Sequence, residues 1–163
     1  MFVAGECVVT FSIRRYTPQD EADVADLWSR ASKRAHPFIA GEGEGERLKA
    51  LRENYLPHAA NWVALDENDR AVGLLGLLET DEGAQIGGLF VAPEAQGKGI
   101  GRMLVDHAAR LKGSLRLEVF EKNAAARRFY ARMGFQEAGS RPDPDTGHVL
   151  ITMSRPARRW RPR

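Results

Sequence analysis

The sequence predicts a single α/β domain with a central mixed, mostly antiparallel sheet flanked by helices. Its 163 residues suit one hydrophobic core and are too few for two full-sized cores. Segments rich in β-branched and aromatic residues alternate with segments in which apolar residues recur at helical spacing. Early strands separated by short turns favour antiparallel pairing, whereas a later helix between two strands favours a parallel pair.

The domain is expected to span 1–163, with a core at about 12–155 and peripheral tails at 1–10 and 156–163, because no linker or repeat interrupts the chain. A composition of 43% hydrophobic and 28% charged residues excludes disordered and collagen-like classes. The one cysteine, Cys7, favours a reducing, cytoplasmic compartment. The first eleven residues contain Glu6 and no basic leader, and no run approaches the roughly 20 apolar residues of a membrane helix, so no membrane partner is expected.

Charge is unevenly distributed along the chain. The formal net charge is +2, but the last nine residues, Arg155 to Arg163, hold five Arg and no acidic residue. A net-acidic body does not favour a duplex-DNA surface. We therefore expect a solubilising terminus, the alternative being a nucleic-acid-binding tail that includes Trp160.

The first part of the chain predicts a strand followed by two helices. Thr17 and Asp20 form a loose capping box at the start of the first helix, with Pro18 at its first position. A Gly/Glu-rich stretch predicts a mobile loop, and the second helix is expected to end before Pro57. The predicted ranges are strand 8–16, helix 18–33, loop 41–45 and helix 46–55.

The remainder predicts an antiparallel meander, a strand–turn–helix–strand unit, and a closing helix with two strands. Gly134 is the expected C-cap of the closing helix. The predicted ranges are strands Asn61–Leu65, Ala71–Glu79 and Ala84–Val91, helix Arg102–Lys112, strand Leu115–Phe120, helix Ala124–Met133, and strands Phe135–Ala138 and Val149–Met153.

The turn after the meander has the sequence QGKGIG at 96–101. Such a turn directs several backbone N–H groups and the positive end of a helix at one point, where a phosphate can bind. A Walker loop is excluded, because Ala92 stands where its first glycine is needed and Gly99 follows Lys98. A dinucleotide fingerprint with Glu118 as its acidic residue, and a turn that only packs strand against helix, stay open at this point.

Two segments resemble the GNAT N-acetyltransferases. The run FVAPEAQGKGIG at 90–101 resembles their acyl-coenzyme A signature, which is Gln or Arg, two residues, Gly, one residue, and Gly or Ala. The second segment, which includes LEV at 117–119, Asn123, Ala126, FY at 129–130 and MGF at 133–135, is similar to the strand and helix that follow in that family. The two segments cover roughly 84–138 and imply a GNAT-like fold that uses acetyl-CoA and no metal.

The resemblance implies how acetyl-CoA is held. The glycine turn binds the pyrophosphate, and the preceding strand pairs with the pantetheine arm where it splays from its neighbour, with Gly87 and Gly88 suited to a bulge there. Asn123 contacts the far end of the pantetheine or acts only as a helix cap. The implied cofactor-binding residues are Leu89, Phe90, Val91, Gln96, Gly97, Lys98, Gly99, Ile100, Gly101 and Asn123.

The resemblance also implies that an amine attacks the thioester directly in a ternary complex. Tyr130 matches the tyrosine that protonates the departing thiolate, the alternative being a core tyrosine. Glu118 occupies the position of the catalytic glutamate in acetyltransferases of ribosomal protein amino termini and is the first candidate for the base. Its alternative is a strand glutamate satisfied by Arg116 or by a backbone group, and the rival base is His36.

The acceptor site is expected beneath the first two helices, where Trp28, His36, Phe38 and Tyr55 present aromatic walls to a small amine or a peptide amino terminus. A non-catalytic CoA-binding sensor is the alternative function. The sequence leaves open the amine, the acyl chain, and whether the chain is a monomer or a homodimer.

Overall fold

The computed structural model describes residues 10–158, which form a seven-stranded sheet with helices on both faces. The strands are β1 (Ser12–Arg15), β2 (Ala60–Leu65), β3 (Ala71–Thr80), β4 (Gly83–Val91), β5 (Leu115–Phe120), β6 (Gln136–Pro142) and β7 (Val149–Arg155). The helices are α1 (Glu21–Ala35), α2 (Gly45–Ala50), α3 (Leu56–His58), α4 (Ile100–Lys112) and α5 (Ala124–Arg132). None of these helices combines the length and apolar character needed to cross a bilayer.

The strands lie in the order β1-β2-β3-β4-β5-β7-β6, and each neighbouring pair is antiparallel except β4 with β5. The predicted meander corresponds to β2, β3 and β4. The crossover through α4 returns the chain so that β5 lies parallel to β4. The predicted α/β class and mixed, mostly antiparallel sheet are confirmed.

Contacts of two strand glycines show how the helices cover the sheet. A Cβ on Gly73 would lie 3.0 Å from Ile100 and Leu104 of α4, whereas a Cβ on Gly76 would overlap Tyr55. Residues of opposite parity in a strand face opposite sides, so α4 covers one face and the segment that carries Tyr55 covers the other. Leu104 is fully buried, which places the core between α4 and the sheet.

The second helical segment continues further than the sequence predicts. A π-helical turn at Leu51–Tyr55 follows α2 and leads into α3. The N–H of Leu56 donates to the carbonyl of Leu51, five residues back, so Pro57 falls in the first turn of α3, where its missing N–H is not needed. The expectation that the helix ends before Pro57 was wrong for this reason.

The last two strands also extend beyond their predicted ends at Ala138 and Met153. They pair with each other along their length, so β6 continues to Pro142 and β7 to Arg155. Arg155, which the sequence assigns to the basic tail, is a strand residue with 5% exposure. Residues 1–9 and 159–163, which include Cys7 and most of that tail, lie outside the described part of the chain.

A β-bulge bends β4 near its middle. Leu77 of β3 pairs with Ile86 and Gly76 pairs with Gly88, so Gly87 is an extra residue in β4. The predicted bulge is therefore confirmed. A bulge bends its strand and strengthens the local twist, and here it precedes the half of β4 that turns away from β5.

The capping box at the start of α1 includes a partly buried ion pair that links the helix to β1. Both Arg14 terminal nitrogens donate to the Asp20 carboxylate, at 2.7 and 2.8 Å, and the Thr17 N–H donates to it at 2.9 Å. Asp20 is 8% exposed. The Arg14 hydrogen bond holds the pKa of Asp20 below its ordinary value, although burial opposes it.

Asp20→Asn is expected to lower the free energy of unfolding at neutral pH by about 1–2 kcal/mol, because the charged hydrogen bonds to Arg14 are lost. A carboxylate whose pKa is lowered by folding stabilises the protein above its unfolded-state pKa and ceases to do so as the pH falls. The difference between variant and wild type should therefore shrink below about pH 4 in urea titrations. The exposed Asp145→Asn is the control, and a pH-independent difference would contradict the ionic contribution.

Candidate active site

The site lies where β4 and β5 diverge. The parallel ladder joins Gln85 with Arg116 and Ile86 with Leu117, and no further pairs of these strands follow within the described chain. A cleft of 1080 Å³ opens between the separated strand ends. The C-terminal half of β4, the glycine turn, β5, the start of α5 and the α1–α2 loop line it.

The glycine turn forms one wall of the cleft. Gly97 and Gly99 have φ of 79° and 83°, and Gly99 caps the N-terminus of α4. A Cβ on either glycine would meet nothing within 4 Å, so the space in front of the turn is open to a ligand. The Gln96 side chain donates to the Val91 carbonyl at 3.1 Å and fixes the turn to the end of β4. This arrangement suits an anion held by backbone N–H groups.

The charge of the cleft also suits an anion. Glu118 is the acidic side chain among the residues that line it, and it is paired. The basic residues of the lining are Arg34, Arg47, Arg102, Lys122 and Arg132. Lys98 is not among them, since it lines a separate surface cavity of 350 Å³ with Asp23, Asp26 and Glu94.

The splayed half of β4 supplies a second wall. Leu89, Phe90 and Val91 all line the cleft, and each pairs with β3 on its other side. The Phe90 ring lies edge-on to Trp28, with ring centroids 6.3 Å apart. Trp28 is buried and does not line the cleft, so it supports this wall from behind.

Tyr130 enters the cleft from α5. It is 8% exposed and packs edge-on against Phe129 and Phe135, whose ring centroids lie 5.2 and 5.5 Å from its own. Burial raises the pKa of the Tyr130 phenol. The group therefore carries its proton throughout the neutral range and can act as an acid.

Glu118 lines the cleft from β5, but its carboxylate is occupied. The Arg141 Nε and a terminal nitrogen donate to its two oxygens at 2.6 and 2.8 Å. The alternative partner named from the sequence, Arg116, instead pairs with Glu82. Both carboxylate oxygens are therefore engaged by one guanidinium group.

The α1–α2 loop brings a residue to the site that the sequence did not single out. Glu42 is 5% exposed, and its carboxylate lies 3.1 Å from His36 Nδ1 and accepts from Arg47 Nε at 3.0 Å. Ser29 also donates to the Gly43 carbonyl at 2.6 Å and ties the loop to α1. Nothing in the spacing of this Gly/Glu stretch distinguishes Glu42 from its neighbours, so only the folded chain identifies it.

Aromatic rings surround His36 at this end of the cleft. Phe38 and Phe120 lie with centroids 5.8 and 5.1 Å from the imidazole, and His148 contacts Phe38 at 4.9 Å. Lys122 Nζ lies 5.5 Å from the Phe38 ring centroid. Two of the four predicted acceptor residues, His36 and Phe38, therefore line the cleft.

Tyr55, the fourth, lies beneath the β4 bulge. A Cβ on Gly87 would lie 3.0 Å from its ring, and one on Gly88 would lie 3.1 Å from its hydroxyl. The hydroxyl is buried without a hydrogen-bond partner in the described structure, and Tyr55 does not line the cleft. Burial, together with the nearby Tyr130 phenol, raises its pKa.

Asn123 connects the two ends of the site. Its Oδ1 accepts from the Ala126 N–H at 3.3 Å as the N-cap of α5, and its Nδ2 lies 3.4 Å from His36 Nε2.

Within residues 10–158, no three His, Cys, Asp or Glu side chains are grouped as metal ligands would be.

Comparisons with known proteins agree with this geometry. Residues 57–137 match the acetyltransferase (GNAT) domain family. Peptidyl-lysine N-acetyltransferase YjaB of Escherichia coli (strain K12) is 34% identical over 139 residues, which are 85% of this chain and 91% of that protein. The solution structure of apo YjaB from Escherichia coli has a TM-score of 0.73 at 29% identity, covering 89% of this chain and 97% of that one.

A further solved structure extends the likeness of fold. The ribosomal-protein-S18-alanine N-acetyltransferase from Escherichia coli has a TM-score of 0.70 at 24% identity, covering 91% of this chain and 94% of that one. The family match favours the acyl-coenzyme A signature over the dinucleotide fingerprint. This chain belongs to the GNAT family of acetyltransferases and is an acyltransferase.

Proposed function

We propose that this enzyme transfers the acetyl group of acetyl-CoA to a primary amine, and that the amine is the side chain of a peptidyl lysine. The observation that carries the proposal is a single cleft lined by the glycine turn, the splayed half of β4 and Tyr130. Its basic lining suits the phosphates of coenzyme A. One cysteine in the whole chain supports a cytoplasmic location.

Each part of acetyl-CoA has a counterpart in the cleft. The open N–H groups around Gly97 and Gly99 bind the pyrophosphate, and the free edge of β4 pairs with the amides of the pantetheine. Asn123 lies where the pantetheine approaches α5. A β4 backbone N–H stabilises the oxyanion that forms when the amine attacks the thioester carbonyl.

The chemistry needs a proton balance at nitrogen and sulfur. The lysine ammonium loses one proton before its nitrogen attacks, the C–N bond forms, and the C–S bond then breaks. Tyr130 donates its proton to the leaving thiolate, and the proton that the new amide nitrogen sheds restores the phenol through solvent. The products are the acetylated amine, free coenzyme A and one released proton.

Two observations support a lysine side chain as the acceptor. YjaB of Escherichia coli, a relative that matches 85% of this chain and 91% of its own length, is named a peptidyl-lysine N-acetyltransferase. The rings of His36, Phe38 and Phe120 also form an apolar channel wall with π faces, which suits an aliphatic stem that ends in an ammonium group. The chain's own Lys122 already places its ammonium over Phe38.

The experiment is a thiol-release assay with acetyl-CoA and two peptides. One peptide carries a lysine and a blocked amino terminus, and the other carries a free amino terminus and no lysine. Release of coenzyme A with the first and not the second, with a mass increase on lysine, is the expected result. Turnover confined to the second peptide or to small amines would overturn the lysine assignment, and acetyl-CoA binding without turnover on any amine would favour the sensor alternative.

Gly99→Val is expected to weaken acetyl-CoA binding by about tenfold or more, because the side chain enters the open space before the turn and removes phosphate hydrogen bonds. Titration calorimetry measures the change in Kd. The matched control is Gly83→Val, at the opposite end of β4, which also has a positive φ and open space around it. Equal losses of affinity in both variants would show that backbone strain, and not the ligand site, is responsible.

A further inference from the structure

We propose that His36 accepts the proton of the incoming ammonium group and that Glu42 is the positioning residue for its imidazole. This inference rests on the proposed acetyl transfer and adds the group that prepares the nucleophile. It departs from Glu118, the base that the family resemblance implies.

The loop holds an ordered chain of charged groups behind His36. The Glu42 carboxylate, with a side chain 3% exposed, lies 3.1 Å from His36 Nδ1. It also accepts from Arg47, at 3.0 Å on one oxygen and 3.3 Å on the other, and from the Gly43 N–H at 3.2 Å. Burial acts to raise the pKa of Glu42, but the hydrogen bonds from His36 and Arg47 outweigh it and leave the pKa below its ordinary value. Glu42 is therefore an anion.

This anion determines which imidazole nitrogen carries the proton. An ionised carboxylate only accepts hydrogen bonds, so His36 Nδ1 is the donor and Nε2 keeps its lone pair. The neighbour of Nε2 agrees with this assignment. Asn123 uses Oδ1 to cap α5, which presents its Nδ2 donor to His36 Nε2 at 3.4 Å. The lone pair thus lies on the side of His36 that borders α5 and the cleft.

The surroundings of His36 suit a proton acceptor at the end of an amine channel. His36 lines the cleft, and the Phe120 ring of β5 and the Phe38 ring of its own loop lie against it. The charged and titratable groups around this cluster are Glu42 and Arg47 behind the imidazole, Lys122 over Phe38, and His148 against Phe38 and Phe120.

Glu118 is less suited to the same task. Both of its oxygens accept from Arg141, so protonation would break a bidentate ion pair. His36 instead gains a charged partner when it is protonated, because its imidazolium would then face the Glu42 carboxylate. In the balanced reaction the ammonium replaces the Asn123 amide at His36 Nε2, a contact of 3.4 Å, and Nε2 takes the first proton and returns it to solvent. Tyr130 supplies the proton for sulfur.

The main test is the pH profile of kcat for acetylation of the lysine peptide by the full chain. His36→Gln is expected to lower kcat by about 10²-fold and to remove the acid limb of the profile, with Kd for acetyl-CoA unchanged. Glu42→Gln is expected to lower kcat less than His36→Gln does, because the imidazole stays in the cleft but loses the carboxylate that holds its proton on Nδ1. His58→Gln, exposed and outside the cleft, and Glu44→Gln, exposed in the same loop, are the matched controls.

Two further variants keep the result interpretable. The double variant His36→Gln/Glu42→Gln replaces the charged contact by an amide pair, so neither side chain is left without a partner. His36→Ala is expected to regain activity when imidazole is added, which a purely structural role would not allow. Wild-type kcat with an unchanged acid limb in folded His36→Gln would overturn the proposal, whereas an inactive wild type would instead contradict the proposed acetyl transfer.

Discussion

Replacing Tyr130 by Phe is expected to lower kcat for acetyl transfer by about 10³-fold while leaving the Kd for acetyl-CoA unchanged. The substitution removes one hydroxyl from a ring that is held by Phe129 and Phe135, so the packing of α5 is preserved. Burial raises the pKa of this phenol, so the group holds its proton until the thiolate leaves. Single-turnover kinetics, together with calorimetric titration of acetyl-CoA, separate the chemical step from binding.

The matched control is Tyr16→Phe, which removes the same atom from a tyrosine outside the cleft. Its kcat should equal that of the wild type. Unchanged turnover in Tyr130→Phe would remove the phenol from the reaction. A parallel loss of acetyl-CoA affinity would instead assign Tyr130 to binding. The neighbouring Tyr55 does not supply the missing proton, because its hydroxyl is buried outside the cleft.

Gly76→Ala is expected to lower the free energy of unfolding by about 3 kcal/mol, because the new methyl group has no space. The Cβ would overlap the Tyr55 hydroxyl and would lie 2.7 Å from Asn61 Oδ1. Gly76 pairs with Gly88 directly beside the bulge, and its neighbours Leu75 and Leu77 pair with Leu89 and Ile86, so the backbone on either side is fixed. Urea titration followed by circular dichroism measures the loss.

The control for this substitution is Gly139→Ala in β6, where a Cβ would meet nothing within 4 Å. The urea concentration at the midpoint of unfolding should be nearly the same for Gly139→Ala as for the wild type. Combining Gly76→Ala with Tyr55→Ala should destabilise less than the sum of the two single variants, because the overlap no longer exists. Strict additivity would show that Tyr55 is not what excludes a side chain at Gly76.

The local pattern of residue types was sufficient to predict the strands of the meander and the turn before α4. In β2, β3 and β4, runs of apolar and β-branched residues are bounded by turn residues, and both signals act over a few positions. The same holds for the glycine turn, whose positive φ angles at Gly97 and Gly99 only glycine adopts at low cost. Tyr130 was found because the second segment of the resemblance places it on α5.

Long-range contacts determined what the sequence did not predict. Glu42 is buried because α1 and α2 hold the loop so that its carboxylate contacts His36 and Arg47. The spacing of residues in this segment does not predict those contacts. Lys98 lines the separate surface cavity beside Asp23, Asp26 and Glu94, and its place in the glycine turn did not predict these neighbours. Tyr55 lies under the bulge because the π turn carries α3 beyond Pro57 and over the strand glycines.

In the described chain only two residue pairs join β4 to β5. The sheet therefore consists of two parts, β1 to β4 and β5 to β7, that are hydrogen-bonded at one end of their shared edge. Beyond those pairs, the facing edges of β4 and β5 have main-chain amides that no neighbouring strand satisfies. A pantetheine chain, which carries amides of its own, would hydrogen-bond to these edges as an added strand and connect the two parts of the sheet. Acetyl-CoA should therefore slow hydrogen exchange along both facing edges far more than at β1 or β6, which lie at the outer borders of the sheet.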